Sequence, residues 1–532
     1  MPTETGGGNV GDLDALCDVV RTTLGPLGAS KLVVREDGTV LTTSSGAVVL
    51  EELDLTNPTV TLLRTAASDF RSRHGDGSTG LVTLLGALLS EADRLAELGL
   101  HPTAIERGYR DAMAVASEEL ERRASPLSTV GREAVARTAL TGTRDPNVRA
   151  DVAQYVSLAV AELSRGTGTG TETGTATATD RRQVKVVSRL GGAQSETELV
   201  AGVVLDAKPV AEDMPRTRER AGLALLSSTV DVPSVAGGVS GDSTEGVPVE
   251  SFEDRVAIGD RERQAFRDQL DAAVAAGCDC ILTSGAVNDR VERTLANRGI
   301  LAIERVDDED LARIARATGG RVVPNLGTFD EESRGTATVT VRRTAGRDMT
   351  VVESDAGEPT FTLFCRAPDP RSSDEFEQSV SDAVAATLAA EETGTVVPGG
   401  GAVETGVSLA VEERARSVDD RSQLAVEAFA DALLAVPRTL ATNAGMDGHA
   451  ALTRLRVGHG DGRDALGVDS DRGAVGDVLA DDAVVEPVSL KRAAWNAATE
   501  LAIKLTRIDA QVAATDLRPE GAAEEADDEG AR

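Results

Sequence analysis

Apolar positions recur at helical spacing along the first hundred residues. Leu13, Leu16, Cys17, Val20 and Leu24 form one stripe. It stops at Gly25-Pro26, where a flexible residue and a missing N–H end a helix. Leucines at 81, 84, 85, 88 and 89 predict a second helix over about 79–98, closed by Gly99, and a third opens after His101-Pro102-Thr103. Between the first two, KLVVREDGTVLTTSSG sets Asp37-Gly38 between β-branched runs, a hairpin signal. From Gly277 the period changes. CDCILTSG reads as a strand, VNDRVERTLANRG as a helix closed by glycine and ILAIERV as a strand. DEDLARIARATGG is again a helix and RVVPNL a strand. That βαβαβ order predicts a parallel sheet with right-handed crossovers, hence a separate α/β domain. ATVTVRR, MTVVES and FTLFCRA add strands, and helical periodicity returns over 376–392 and 491–507. Helical ends around an α/β centre predict that the central domain is inserted into the helical one. RGTGTGTETGTATATD, residues 165–180, is expected as a solvated loop, and the acidic LRPEGAAEEADDEGAR, residues 517–532, as a disordered tail.

A length of 532 residues exceeds one core, so several domains are expected. With 41% hydrophobic but only 2% aromatic residues, those cores must be built from Val, Leu, Ile and Ala. The 55 basic and 88 acidic residues leave a net charge of −33. Such a surface repels phosphate backbones and anionic lipid, which argues against nucleic-acid and membrane partners. The lysines are Lys31, Lys185, Lys208, Lys491 and Lys504, so arginine carries nearly all the positive charge. Acid excess with scarce lysine predicts a high-salt cytoplasm, where ions screen the repulsion; an acidic protein of an ordinary cell is the alternative. The opening MPTETGGGNVGD lacks the basic and apolar regions of a signal peptide, and the most apolar stretch, 81–89, is too short to span a bilayer. A cytoplasmic location is therefore expected. Cys17, Cys278, Cys280 and Cys365 are too few and scattered for a disulfide framework. The Cys278/Cys280 pair has no second Cys/His pair nearby, which argues against a metal there.

GPLGASK lacks the spacing of a Walker A loop. Phosphate can still be held by glycine turns whose free N–H groups converge near helix N-termini. Three stretches have that form: Leu24-Gly25-Pro26-Leu27-Gly28, Gly75-Asp76-Gly77-Ser78-Thr79-Gly80, and Val397-Pro398-Gly399-Gly400-Gly401-Ala402. Each alone also reads as a tight turn. Asp76, between two glycines, can bring a carboxylate to a metal without crowding. Taken singly it is a turn aspartate, and Asp382 a solvated helix residue.

In order and spacing, VRTTLGPLGASKLVV, GDGSTG and HPTAIERGYRDA resemble the opening of group II chaperonins, the thermosome type. The resemblance continues through TELVAGVVLDAKPVAEDMP and GILAIERVDDEDLARIARATGGRVV, then EQSVSDAV and TVVPGGGAVE. It closes with GVDSDRGAVGDVLADDAVVEPVSLKRAAWNAATELAIKLTRID, covering about 12–514. It implies a multidomain α+β and α/β chaperonin fold: a mostly helical equatorial domain (1–140 and 398–516), an intermediate hinge domain (141–201 and 355–397) and an inserted α/β apical domain (202–354). The implied cofactors are ATP and Mg²⁺. By the resemblance, Leu24, Gly25 and Pro26 lie against the nucleotide phosphates, with Gly77, Ser78 and Thr79 around them. Asp76 holds the Mg²⁺, Gly400 lies at the base, and Glu486 accepts from the ribose hydroxyl. Asp382 in SVSDAV matches the family's intermediate-domain aspartate that reaches the attacking water, so the resemblance makes Asp382 and Asp76 the catalytic candidates. The implied partners are unfolded polypeptides and paralogous subunits in a hetero-oligomeric double ring.

This chain departs from the family pattern in places. Thr43-Ser44-Ser45-Gly46 stands where Thr-Asn-Asp-Gly is usual, so Ser45 replaces a carboxylate that helps orient or deprotonate the water. Leu27 stands for a lysine and Gly80 for a threonine. These changes imply an ATP-driven subunit with slowed hydrolysis; the competing readings are a structural ring subunit that binds nucleotide poorly and a free-standing peptide-binding protein. Residues 231–262 fall where the apical helical protrusion belongs. Val247, Val249, Phe252, Val256 and Ile258 form either a substrate-facing patch or part of a glycine-rich loop with a short helix.

Overall fold

The structure, a computed structural model, describes residues 8–35, 38–53, 57–166, 181–232, 252–344 and 346–508. The largest core is helical and is assembled from both halves of the chain. Helices Gly8–Arg21, Pro58–His74, Ser78–Glu97 and Pro102–Arg122 pack against Ala402–Ala415, Gln423–Leu433 and Val488–Thr506. Leu81, Leu84, Leu85 and Leu88 of the leucine helix are all buried, as the helical spacing predicts. The Tyr109 hydroxyl donates to the Leu88 carbonyl at 2.7 Å, so the ring enters this core without an unpaired polar atom. Helix starts follow local chemistry. Asn57 accepts from the Thr59 N–H ahead of Pro58, and Asp447 accepts from His449 and Ala450. The first helix ends at Arg21, and Leu24 belongs to the following turn, where its N–H donates to the Arg21 carbonyl. The hairpin forms between Lys31–Val34 and Val40–Thr43, with Gly38 at φ 80°; Asp37 lies outside the described residues.

A second core joins helices Arg132–Ala139, Pro146–Gly166 and Pro370–Thr393 to a three-stranded sheet. In that sheet Phe361–Ala367 lies between Val184–Leu190, parallel to it, and Glu198–Ala201, antiparallel. The helix expected over 376–392 begins six residues earlier, because Asp369 caps it and Pro370 occupies its first turn.

The third core is an α/β unit around a seven-stranded sheet. Its strands run in the order Val203–Leu205, Arg347–Glu353, Gly335–Thr344, Thr217–Leu226, Cys280–Thr283, Leu301–Ile303. Val322–Val323 pairs parallel with the end of Thr217–Leu226. The parallel half is the one the alternating pattern predicts, its helices being Asp289–Asn297 and Asp308–Thr318. Cys280–Thr283 is buried at every position, as for a strand covered on both faces. The sheet as a whole is mixed: ATVTVRR and MTVVES extend it antiparallel, whereas FTLFCRA belongs to the neighbouring sheet. All four cysteines are buried free thiols. Residues 167–180, the acidic tail 517–532, residues 233–251 of the expected protrusion and the side chains of its apolar patch lie outside the described residues. Among the described residues no helix is long and apolar enough to cross a membrane.

Candidate functional site

One cleft of about 370 Å³ lies between the helical core and helix Pro370–Thr393, within the size range of small-molecule sites. Leu24, Gly25, Pro26, Ser45, Asp76, Gly77, Ser78, Thr79, Gly80, Asp382, Gly400 and Glu486 all line it. These residues come from stretches separated by hundreds of positions. Leu27 is not among them; it is 38% exposed beside the turn.

The Gly75–Gly80 stretch shows how the sequence opens the cleft at a helix N-terminus. Gly77 caps helix Ser78–Glu97 at φ 86°, ψ 0°, a conformation that disfavours any Cβ. The first bond of the helix runs from the Leu81 N–H to the Gly77 carbonyl. The N–H groups of Ser78, Thr79 and Gly80 therefore have no intrahelical acceptor and face the cleft at a positive helix end. Gly400 lines the cleft as well: at φ 61°, a Cβ there would stand 2.6 Å from the Val468 carbonyl oxygen. The Thr79 hydroxyl accepts from the Gly46 N–H at 3.2 Å, tying this turn to the one that carries Ser45.

Two carboxyls occupy the upper part of the cleft. Asp76 accepts from the Gly77 N–H at 2.5 Å. Each retains some contact with solvent through the cleft, but protein surrounds them on most sides. Burial pushes the Asp76 carboxyl up to about 6, with the charge of Glu486 adding and Gly77, Lys491 and Arg181 opposing. Asp382 is held well above the usual carboxylate range by burial and then by the charge of Asp76. Arg71 donates to Gln378, and Gln378 donates to Asp382 at 2.5 Å, so a hydrogen-bonded chain fixes the Asp382 side chain.

The floor is organised by a group that sequence spacing did not reveal. Lys491 Nζ sits 2.7 Å from Glu404 Oε1 and 2.5 Å from Glu486 Oε2. Burial alone would lower the lysine, but Glu404 and Glu486 outweigh it and hold it above its ordinary value. Its scarcity was the only signal in the sequence: Lys491 is one lysine of five and lies inside the closing segment of the resemblance. The wall is completed by two ion pairs, Arg149–Asp471 at 2.7 Å and Arg137–Asp482 at 2.9 Å.

The description "TCP-1/cpn60 chaperonin family" matches residues 16–516. The chain belongs to this chaperonin family. It is 36% identical over 506 residues to a thermosome subunit of Methanopyrus kandleri, covering 94% of this chain and 90% of that protein. It is 34% identical over 521 residues to thermosome subunit 1 of Haloferax volcanii, covering 97% and 90%. Against thermosome subunit 3 of the same organism it is 36% identical over 505 residues, covering 94% of each. The mixed helical and α/β architecture is that of a multidomain chaperonin.

Among the described residues no group of three or more His, Cys, Asp or Glu side chains is arranged to hold a metal ion. The chaperonin cleft nevertheless fits a Mg²⁺ that arrives with phosphates. Mg²⁺ needs only one or two protein carboxylates when phosphate and water complete its shell. The raised Asp76 carboxyl marks a place where a cation would relieve a buried negative charge.

Proposed function

We propose that this chain is an ATP-dependent chaperonin subunit that works in a double ring with paralogous subunits and binds unfolded polypeptides. The observation that carries the reading is the convergence of three distant glycine turns with Asp76, Asp382 and Glu486 on one cleft. On this reading the helical core is the equatorial domain (1–140 and 398–516). The second core is mostly the hinge (141–201 and 355–397), with helix Arg132–Ala139 of the equatorial range packed into it, and the α/β unit is the apical domain (202–354).

In the proposed mechanism the amides of Ser78, Thr79 and Gly80 bind the phosphates, with Leu24, Gly25, Pro26 and Gly77 shaping the turns around them. Asp76 would hold Mg²⁺, which when bound neutralises charge on the phosphates. Gly400 lies at the base, and Glu486 accepts from the ribose hydroxyl. Asp382 positions and deprotonates the attacking water, supported by Gln378 and Arg71. A carboxyl with a raised affinity for protons is suited to that step. Ser45 lines the same cleft but cannot take a proton at neutral pH, so hydrolysis is slowed.

The same residue favours a second reading, a non-hydrolysing structural subunit that contributes only a polypeptide-binding surface. Single-turnover hydrolysis of Mg·ATP separates the two: slow but measurable phosphate release supports the first, and none supports the second. Assembly is tested by native mass in molar salt, because a charge of −33 per subunit must be screened before a ring can form in a high-salt cytoplasm. A monomer at every salt and nucleotide concentration, with or without paralogues, overturns the ring.

A further inference from the structure

Lys491, Glu404 and Glu486 all line the cleft, and they come from three different places. Glu404 is in the first turn of helix Ala402–Ala415, just after the glycine turn. Glu486 is in the short strand Val485–Pro487, opposite Val397. Lys491 is in the first turn of helix Val488–Thr506. The side chain of Glu404 is 1% exposed and that of Lys491 10%, whereas Glu486 is 32% exposed toward the cleft. Glu404 spends one oxygen on the lysine, and its Oε2 is buried with no hydrogen-bond partner among the described residues. A fully buried carboxylate with one unpaired oxygen is costly to keep unless a strong partner fixes the other. Here the partner also reaches outward: the ammonium that anchors Glu404 holds Glu486 Oε2 at 2.5 Å. The other oxygen, Oε1, stands 3.2 Å from where a Cβ on Gly399 would be, so the glycine leaves room for the carboxylate in this position.

The geometry points to Lys491 as a positioning residue for nucleotide recognition. Anchored below by Glu404, it locks Glu486 in the rotamer that presents a carboxylate oxygen to the sugar of the bound nucleotide. The ligand class is a ribonucleotide, and Lys491 selects it without touching it. This inference rests on the nucleotide reading of the cleft and adds to it the residue that sets sugar specificity. A part-exposed Glu486 without that partner would sample several rotamers, and a hydrogen bond made from one of several positions discriminates weakly. A hydrogen bond to a charged acceptor held in place is worth about tenfold or more in binding.

The test measures binding of Mg·ATP and its 2′-deoxy and 3′-deoxy analogues to the full chain by calorimetry. The wild type is expected to bind at least one deoxy analogue roughly tenfold more weakly than ATP. Lys491→Met alone leaves Glu404 buried without a partner and can unfold the chain, so the decisive variant is Lys491→Met combined with Glu404→Leu, which leaves no unpaired buried charge. That variant is expected to bind ATP and the deoxy analogues with nearly equal affinity, matching Glu486→Ala, while Lys491→Arg keeps part of the preference. If the double variant folds and discriminates as well as the wild type, Lys491 is not the positioning residue, although the nucleotide reading stands. A double variant that does not fold assigns the pair to stability and overturns the inference. A wild type that binds ATP without sugar preference overturns the inference too. A wild type that binds no nucleotide overturns the reading beneath it.

Discussion

The floor and the upper end of the cleft hold similar numbers of carboxyls under opposite electrostatic conditions. At the floor, Glu404 and Glu486 share Lys491 at 2.7 and 2.5 Å. At the upper end, burial raises the affinity of Asp76 and Asp382 for protons, and the charge of Asp76 raises that of Asp382 further. The cations nearest them are engaged elsewhere or only reduce the effect: Arg71 is committed to Gln378, and Lys491 to the floor. A compensated cluster keeps its geometry with or without ligand. An uncompensated one is built for a positive charge that comes and goes. The difference predicts that substitutions at the upper end change ligand affinity and chemistry, while those at the floor change selectivity.

The largest effect is expected at Asp76. Asp76→Ala removes the one carboxyl in the glycine turn, and Mg²⁺-dependent binding of ATP should be lost. Calorimetry with and without Mg²⁺ reads this directly; unchanged Mg·ATP affinity would reduce Asp76 to a turn residue. Asp382→Ala should leave binding nearly intact and slow single-turnover hydrolysis by on the order of 10²–10⁴, the usual loss for a positioned acid–base group. An equal loss of binding would contradict its role.

A smaller effect follows from protonation. With the Asp76 carboxyl at about 6, a proton competes with the metal at mildly acidic pH. Mg·ATP affinity should fall below about pH 6, approaching tenfold per unit, and Asp76→Asn should flatten the profile. The ligand-free protein should show the reverse sign. A carboxyl more basic in the folded than the unfolded chain takes up protons on folding. Its stabilising contribution is complete below the ordinary 3.8 and is lost as pH rises through about 6. A pH-independent Mg·ATP affinity between 5 and 7 would show that this carboxyl stays ionised.

How much of this was legible in the sequence depends on how local the signal is. The leucine helix and Gly77 were readable because spacing and glycine act within a few residues. The parallel half of the α/β sheet was readable because strand and helix alternate along the chain. Thr217–Leu226, the central strand, was not, because its first half reads TRER and only its partners make it a strand. FTLFCRA reads as a strand, but nothing in seven residues says which sheet it joins. Lys491 and Glu404 are 87 positions apart; no period connects them, and their meeting is a product of packing. Leu27 shows the converse, since a departure from the family pattern sits outside the cleft lining.

The smallest effect, and the sharpest probe of the upper end, is at Ser45. This residue lines the cleft and occupies the cap position of helix Gly46–Glu52, yet its side chain makes no capping bond. Its hydroxyl cannot accept a proton as a carboxylate can. Ser45→Asp therefore supplies a second acid–base group beside Asp382, and single-turnover hydrolysis should rise several-fold with little change in ATP affinity. The gain is limited by a competitor. A carboxylate at a helix cap is also drawn to the free amides of the first turn, a bond worth about 0.5–2 kcal/mol. Rate and melting temperature should therefore be measured together at saturating Mg²⁺. A faster rate with little change in stability means that the carboxylate faces the cleft and that its absence limits this subunit. A higher melting temperature with no faster rate means that it has turned into the helix. In that case Ser45 is not what slows the chemistry, and Gly80, the other cleft-lining departure, is the next residue to restore.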